Sequence, residues 1–146
     1  MAQALLSDPI DLLLDNNDDL VITTALAWAT GVQAVAQECR IALQMFAGEW
    51  FMDLTFGYPY WTRILGQKPD VAIAAARSVT RSVLLNINNV TDVPTLSVTY
   101  NPSPRGLVIS WVVSTQFGDT PVDTISVLAQ GNPTGINTSG ISGGPQ

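Results

Sequence analysis

The 146-residue sequence has no histidine and one cysteine, Cys39. No Ser-His-Asp or Cys-His constellation can be built within such a chain, no intramolecular disulfide can close, and a zinc or iron–sulfur site would lack its ligands. A Walker lysine motif is also missing. Charge is scarce, at 12% of residues against the roughly 25% usual for a soluble domain. No basic residue occurs in the first 19 positions, which hold five of the twelve acids: Asp8, Asp11, Asp15, Asp18 and Asp19. The other 127 residues carry seven acids against six bases, a net charge of minus one. A body so nearly neutral has no basic field for a phosphate backbone, which argues against a nucleic-acid partner. The charge-free stretch that looks most like a membrane segment, residues 20–37, holds three threonines, two glutamines and Gly31, too polar for a membrane span. The N-terminus has no basic n-region, and Asp8 and Asp11 interrupt its apolar run. A secretory signal is therefore not expected, and the chain reads as soluble and cytoplasmic in origin.

What is present suits one compact domain, since 47% of residues are apolar and a chain of this length buries enough surface to fold without crosslinks. Residues 1–19 read as an acidic N-terminal arm, 20–130 as a single domain and 131–146 as a flexible glycine-rich tail. The tail has five glycines, two prolines, no charge and no aromatic residue, too little apolar area to offset the entropy of ordering. Residues 20–24 suggest a short strand. Thr30-Gly31-Val32-Gln33 matches a capping box, and Val32, Val35, Ala36, Cys39, Ala42, Leu43 and Phe46 recur at helical steps, with Gly48 as the stop. Residues 49–66 hold six of the eleven aromatics together with Gly57 and Pro59, and read as a strand followed by a packed loop. A second helix is predicted from Pro69 to about Leu85, with Val71, Ala75, Val79 and Val83 on its buried face. Strands over 96–100, 107–114 and 122–129 follow, the first two joined by a loop over 101–106. The expected fold class is α+β, two main helices packed on a small antiparallel β-meander.

Few side chains suggest chemistry. Asp15, Asn17 and Asp19 have the alternate spacing of a calcium loop, but Leu20 and Leu26 stand where glycine and glutamate are required. Cys39 lies on the apolar stripe and reads as a buried small hydrophobe. Arg77 and Arg81, four apart, read as a solvated or partner-facing pair, because no glycine-rich loop accompanies them. A glycoside hydrolase would need two carboxylates, and Glu49 with Asp53 beside stacking aromatics is the one candidate pair. On a strand the two would stand roughly 13 Å apart, beyond the separation of about 5 to 9.5 Å that either hydrolytic mechanism uses. Glu49 and Trp50 are instead expected to hold a bend or a partner contact. No cofactor or metal is expected.

The run Thr30-Gly31-Val32-Gln33-Ala34-Val35-Ala36-Gln37-Glu38-Cys39-Arg40-Ile41-Ala42-Leu43 is followed by Phe46-Ala47-Gly48-Glu49-Trp50-Phe51-Met52-Asp53, then by Gly57-Tyr58-Pro59-Tyr60 and Ile64-Leu65-Gly66. Together they resemble the baseplate wedge family of contractile phage tails, whose members are called sheath initiators or tail-lysozyme-like wedge proteins. The resemblance spans about residues 10–130, and its most specific part is the helix leading into Gly48-Glu49-Trp50 and the Gly-Tyr-Pro loop. Some members have a Glu-Pro-Arg motif after the second helix. The matching stretch here, Thr91-Asp92-Val93-Pro94-Thr95, keeps the proline without an adjacent arginine, so contacts of that arginine do not carry over. The resemblance implies a non-enzymatic part present once per wedge, assembled in the host bacterial cytoplasm and located in the virion at the tail baseplate. Its implied partners are other baseplate wedge proteins, the tail sheath protein and hub or tube-end proteins, with no nucleic acid and no membrane. It also implies that β-strands are offered to the first sheath ring. The final strand before the tail is the expected free edge, which places sheath pairing at Val122, Thr124, Ile125, Ser126, Val127 and Leu128.

Overall fold

The computed structural model describes residues 9–60, 64, 66–102, 105–128 and 133–136. Among these residues seven strands and two helices follow one another as β1 (Ile10–Leu12), β2 (Trp28–Thr30), α1 (Val32–Gln44), α2 (Pro69–Leu85), β3 (Val90–Pro102), β4 (Arg105–Thr115), β5 (Gly118–Asp119), β6 (Asp123–Leu128) and β7 (Pro133–Ile136). β1 and β2 form a two-stranded antiparallel sheet. The larger sheet is antiparallel in the order β3-β4-β6-β7, with β5 paired to the end of β4. A small α+β fold results, but strand outweighs helix, which corrects the expectation of two main helices on a small meander. The reason lies in β3 and β4, 13 and 11 residues long. The stretch expected as a six-residue loop pairs down to Pro102↔Arg105, which leaves two residues between the strands. At its other end β3 continues back to Val90 through register shifts between Val90 and Asp92 and between Asp92 and Thr95. Pro94 sits in that irregular stretch on an edge strand, where its missing donor costs no ladder bond.

β4 alternates strictly, with Leu107, Ile109, Trp111, Val113 and Thr115 buried. That face and the core side of β6 (Ile125, Val127) pack beneath both helices in one hydrophobic cluster. α2 has the predicted ends, Pro69 occupying its first turn where no amide donor is needed. Its buried face is turned by one residue, to Ala72, Ala76, Thr80 and Leu84, while Val71 is exposed. A buried hydroxyl pair accounts for the turn: Tyr58 Oη lies 2.8 Å from Thr80 Oγ1 and donates to Ala76 O at 3.1 Å. Tyr58 also stacks at a tilt on Tyr60, whose hydroxyl donates to Leu43 O. Burial pushes the Tyr58 hydroxyl up to about 12, so it is a permanent donor. Tyr58→Phe removes that donor and leaves the Thr80 hydroxyl without its partner, which is expected to cost about 1–3 kcal/mol. A urea titration followed by circular dichroism measures the loss.

Helix α1 opens without the predicted capping box. Thr30 is committed to the β2 ladder opposite Ile10, and the cap position is taken by Gly31 at φ 57°, with no side-chain cap bond. The helix ends at Gln44, before Gly48, which lies in the following turn. Residues 20–24 form no strand, only the isolated bridges Leu14↔Leu20 and Ile22↔Leu26. Residues 10–19, read as part of an arm, are tied to α1 by Gln37. Its Nε2 donates to Leu12 O at 2.8 Å and Asp11 Oδ2 at 3.0 Å, and its Oε1 accepts from Leu14 N at 2.9 Å. Residues 1–8 of the expected arm lie outside the described residues. Among the described residues no helix is long and apolar enough to cross a membrane.

Candidate functional site

The larger sheet places the edge residues. Residues 122–129 were to form a free edge, and this is corrected: β6 lies between β4 and β7, with Thr124↔Ile136, Ile125↔Gly135, Ser126↔Thr134 and Val127↔Pro133 as partners. The chain returns as β7 within the glycine-rich stretch expected to be loose, because a ladder is made by backbone groups and needs no apolar side chains. The rest of 131–146 lies outside the described residues. Thr124, Ile125 and Val127 are buried, Ser126 is half-buried and Val122, just ahead of β6, is exposed. Thr124 Oγ1 is 2.9 Å from Ser110 Oγ across the ladder. Leu128 is the last residue of β6. Among the described strands β3 and β7 are therefore the two outer ones.

The second feature is the turn after α1, where a strand was expected. Consecutive bonds fold it: Glu49 N donates to Phe46 O (3.1 Å), Asp53 N to Trp50 O (3.2 Å) and Phe56 N to Asp53 O (3.2 Å). Glu49 Oε2 accepts from Phe46 N at 3.2 Å, so this side chain braces the bend. Asp53 Oδ1 accepts from the amide and hydroxyl of Thr55, and those bonds hold its carboxyl below the usual range. Trp50 packs edge-on against Phe56 with ring centroids 5.5 Å apart. The turn presents apolar side chains to solvent, with Phe51 86% and Met52 71% exposed and Leu54 beside them. The sequence reading treated this aromatic segment as packed and missed the patch. The available signal was the uninterrupted Trp50-Phe51-Met52 run, flanked by acids on both sides. A hydrolase would hold its carboxylates in a cleft, whereas Glu49 and Asp53 are spent on the backbone of an exposed turn.

The two arginines of α2 separate. Arg81 donates to Val93 O and Asp92 Oδ1, both at 3.1 Å, and so clamps the irregular start of β3. Arg77 is exposed and has no ion pair among the described residues. A third, Arg40, is buried on α1: its Nε is 3.3 Å from Asp18 Oδ1 without hydrogen-bond alignment, and its Nη2 donates to Asn16 O. It lines a cleft of about 170 Å³ with Leu14, Gln37, Val122 and Asp123. Asp15, expected to read as part of a degenerate calcium loop, turns its Oδ1 to the amides of Asn17 and Asp19.

Burial raises the Asp123 carboxyl above its ordinary range, with Asp18 adding to the rise, while the Thr124 amide and Arg40 pull the other way. Burial and Asp11 raise Glu38 likewise. A carboxyl raised on folding contributes stability that is full below its unfolded value and lost as pH climbs through the folded one. Asp123→Asn keeps an acceptor for the Thr124 amide and removes the half-buried charge. The variant is expected to melt above wild type at pH 7, the gap closing as pH falls through the carboxylate range. Thermal melts across pH 3–8 check this.

A family model described as contractile injection system sheath initiator matches residues 10–118. A comparison with curated proteins finds no match.

Proposed function

The chain belongs to the contractile injection system sheath initiator family, and from that premise we propose that it is a baseplate wedge component of a contractile phage tail, binding other wedge proteins and templating the first sheath ring by β-strand pairing. Membership itself gives a structural role in a contractile injection system, at its tail or baseplate and in contact with sheath and other baseplate proteins. The family is one of structural assembly. The family match across most of the chain is the observation that carries the reading. The antiparallel sheet supports its mechanism, because an extended arm can add to a strand edge through backbone bonds alone. A ring of sheath subunits grows slowly from solution, since every partner gives up translational and rotational freedom before the contacts close. An edge already fixed in the baseplate removes part of that cost. The exposed turn at residues 50–54, with Glu49 and Trp50 at its root, and Arg77 on α2 supply contacts to neighbouring wedge proteins in this reading. Apolar patches of that kind are stable on a permanently assembled part.

Baseplates assembled with and without the chain, mixed with the purified sheath subunit of the same tail, test the proposal. Sheath is expected to grow from complete baseplates after a short lag and to start only rarely from those lacking the chain. Equal lags would overturn it.

Val127 is buried between β4 and β7, so proline there would break the core.

A further inference from the structure

β7 is a poor fit to the edge it covers. It is four residues long, against six in β6, and has proline and glycine at two of those positions. The tight hairpin fixes which backbone groups meet. With two residues between the strands, Pro102 and Arg105 stand at a bonded position of the ladder, where Pro102 O can accept from Arg105 N but proline has no amide to return, and at every second residue beyond them the backbone groups of β3 and β4 point at each other. Gly106, Val108 and Ser110 then turn to β6, meeting Leu128, Ser126 and Thr124. The amides and carbonyls of Ile125 and Val127 therefore face β7, where their partners are Gly135 and Pro133. Proline has no donor to give, so those two positions form three backbone bonds where four are possible. Cross-strand partners share a face of the sheet, and the partner opposite the buried Ile125 is a glycine with no side chain to pack.

We infer that β7 is a resident placeholder: the outer edge of β6 is the acceptor for an extended arm of a sheath subunit, and β7 leaves that edge when the arm docks. The inference rests on the strand-pairing reading above and assigns the edge. The arm that fits is extended, carries an amide donor opposite Val127 and an apolar residue opposite Ile125, and has small or β-branched polar residues opposite Thr124 and Ser126. Each of the first two improves on what β7 offers. A covered edge also protects the free protein from pairing edge to edge with its own kind before assembly.

Ser126 and Thr134 stand opposite each other at a non-bonded pair of the β6–β7 ladder, where strands approach closely enough for a disulfide. In baseplates carrying the double variant Ser126→Cys, Thr134→Cys, oxidation is expected to lower the number of sheaths started at least tenfold, and reduction to restore it. Cys39 is buried and stays out of the exchange. Thr99→Pro, which blocks the outer edge of β3 at an exposed position, is expected to leave sheath initiation unchanged. A chain ending at residue 130, checked for folding by circular dichroism, is expected to shorten the lag. Full initiation from the oxidised double variant, loss of initiation in Thr99→Pro, or a longer lag in the folded truncated chain would each overturn the inference and leave the proposed function standing. Failure of wild-type baseplates to start sheath would instead remove the proposed function, and the inference with it.

Discussion

Gly57→Ala is expected to destabilise the protein by at least about 3 kcal/mol, a large share of the roughly 5–15 kcal/mol by which native domains are stable. Gly57 has φ 108°, a region that L side chains rarely adopt, and a Cβ placed there would stand 2.8 Å from Met45 O and 2.9 Å from the carbonyl carbon and oxygen of Phe46. Those atoms are backbone and cannot rotate away. They are also held, because Tyr58 N donates to Met45 O at 2.8 Å and Ala47 N to Tyr58 O at 3.0 Å, so relief of the clash would pull Tyr58 from its buried bond to Thr80. Strained backbone alone costs of order 1–3 kcal/mol, and the contact adds to it. Gly48→Ala is the control: φ is 88° there but nothing lies within 4 Å, so only the backbone strain applies. Chemical denaturation of both variants reads the difference, and equal midpoints would show that the close approach at Gly57 carries no energy.

Trp111→Ala is expected to cost about 3–5 kcal/mol. Trp111 is 1% exposed at the middle of β4, paired with Leu96 on one side and Asp123 on the other. It is the largest fully buried side chain among the described residues. Its loss opens a cavity at the point where both neighbouring strands are fixed by long ladders and cannot collapse inward. Trp111→Phe keeps most of the apolar contact and is expected to lose well under half as much. Thermal melts followed by far-ultraviolet circular dichroism rank the two variants, and an alanine variant as stable as the phenylalanine one would contradict the packing described.

Much of this fold was legible where a residue's chemistry allows one local answer. Pro69 could only open a helix, and α2 begins there. The period of two in β4 is unbroken from Leu107 to Thr115, and its buried face is the one the pattern names. Legibility ended where tertiary contacts decide. The first half of α2 is nearly all apolar or alanine, so several faces satisfy a helical period, and the Tyr58–Thr80 bond selected the neighbouring one. Thr30 fits a cap and a strand equally, and pairing with Ile10 took it into β2. β7 had no side-chain signal at all, because four residues with a proline and a glycine join a sheet through their backbone. For the candidate site, Glu49 and Trp50 were expected at a bend or a partner contact, and Glu49 accepts from the Phe46 amide in the turn after α1. The exposed Phe51 and Met52 were hidden by the rule that aromatics pack inward. The edge position of β6 was misplaced because β7 could not be foreseen.

Side-chain imaging of an intact tail tip tests the central claim most directly. The account predicts this chain between the baseplate and the first sheath ring, with an extended arm of a sheath subunit added to its larger sheet along β6 and β7 moved off that edge. A first sheath ring whose subunits place no strand on any edge of this sheet would contradict it.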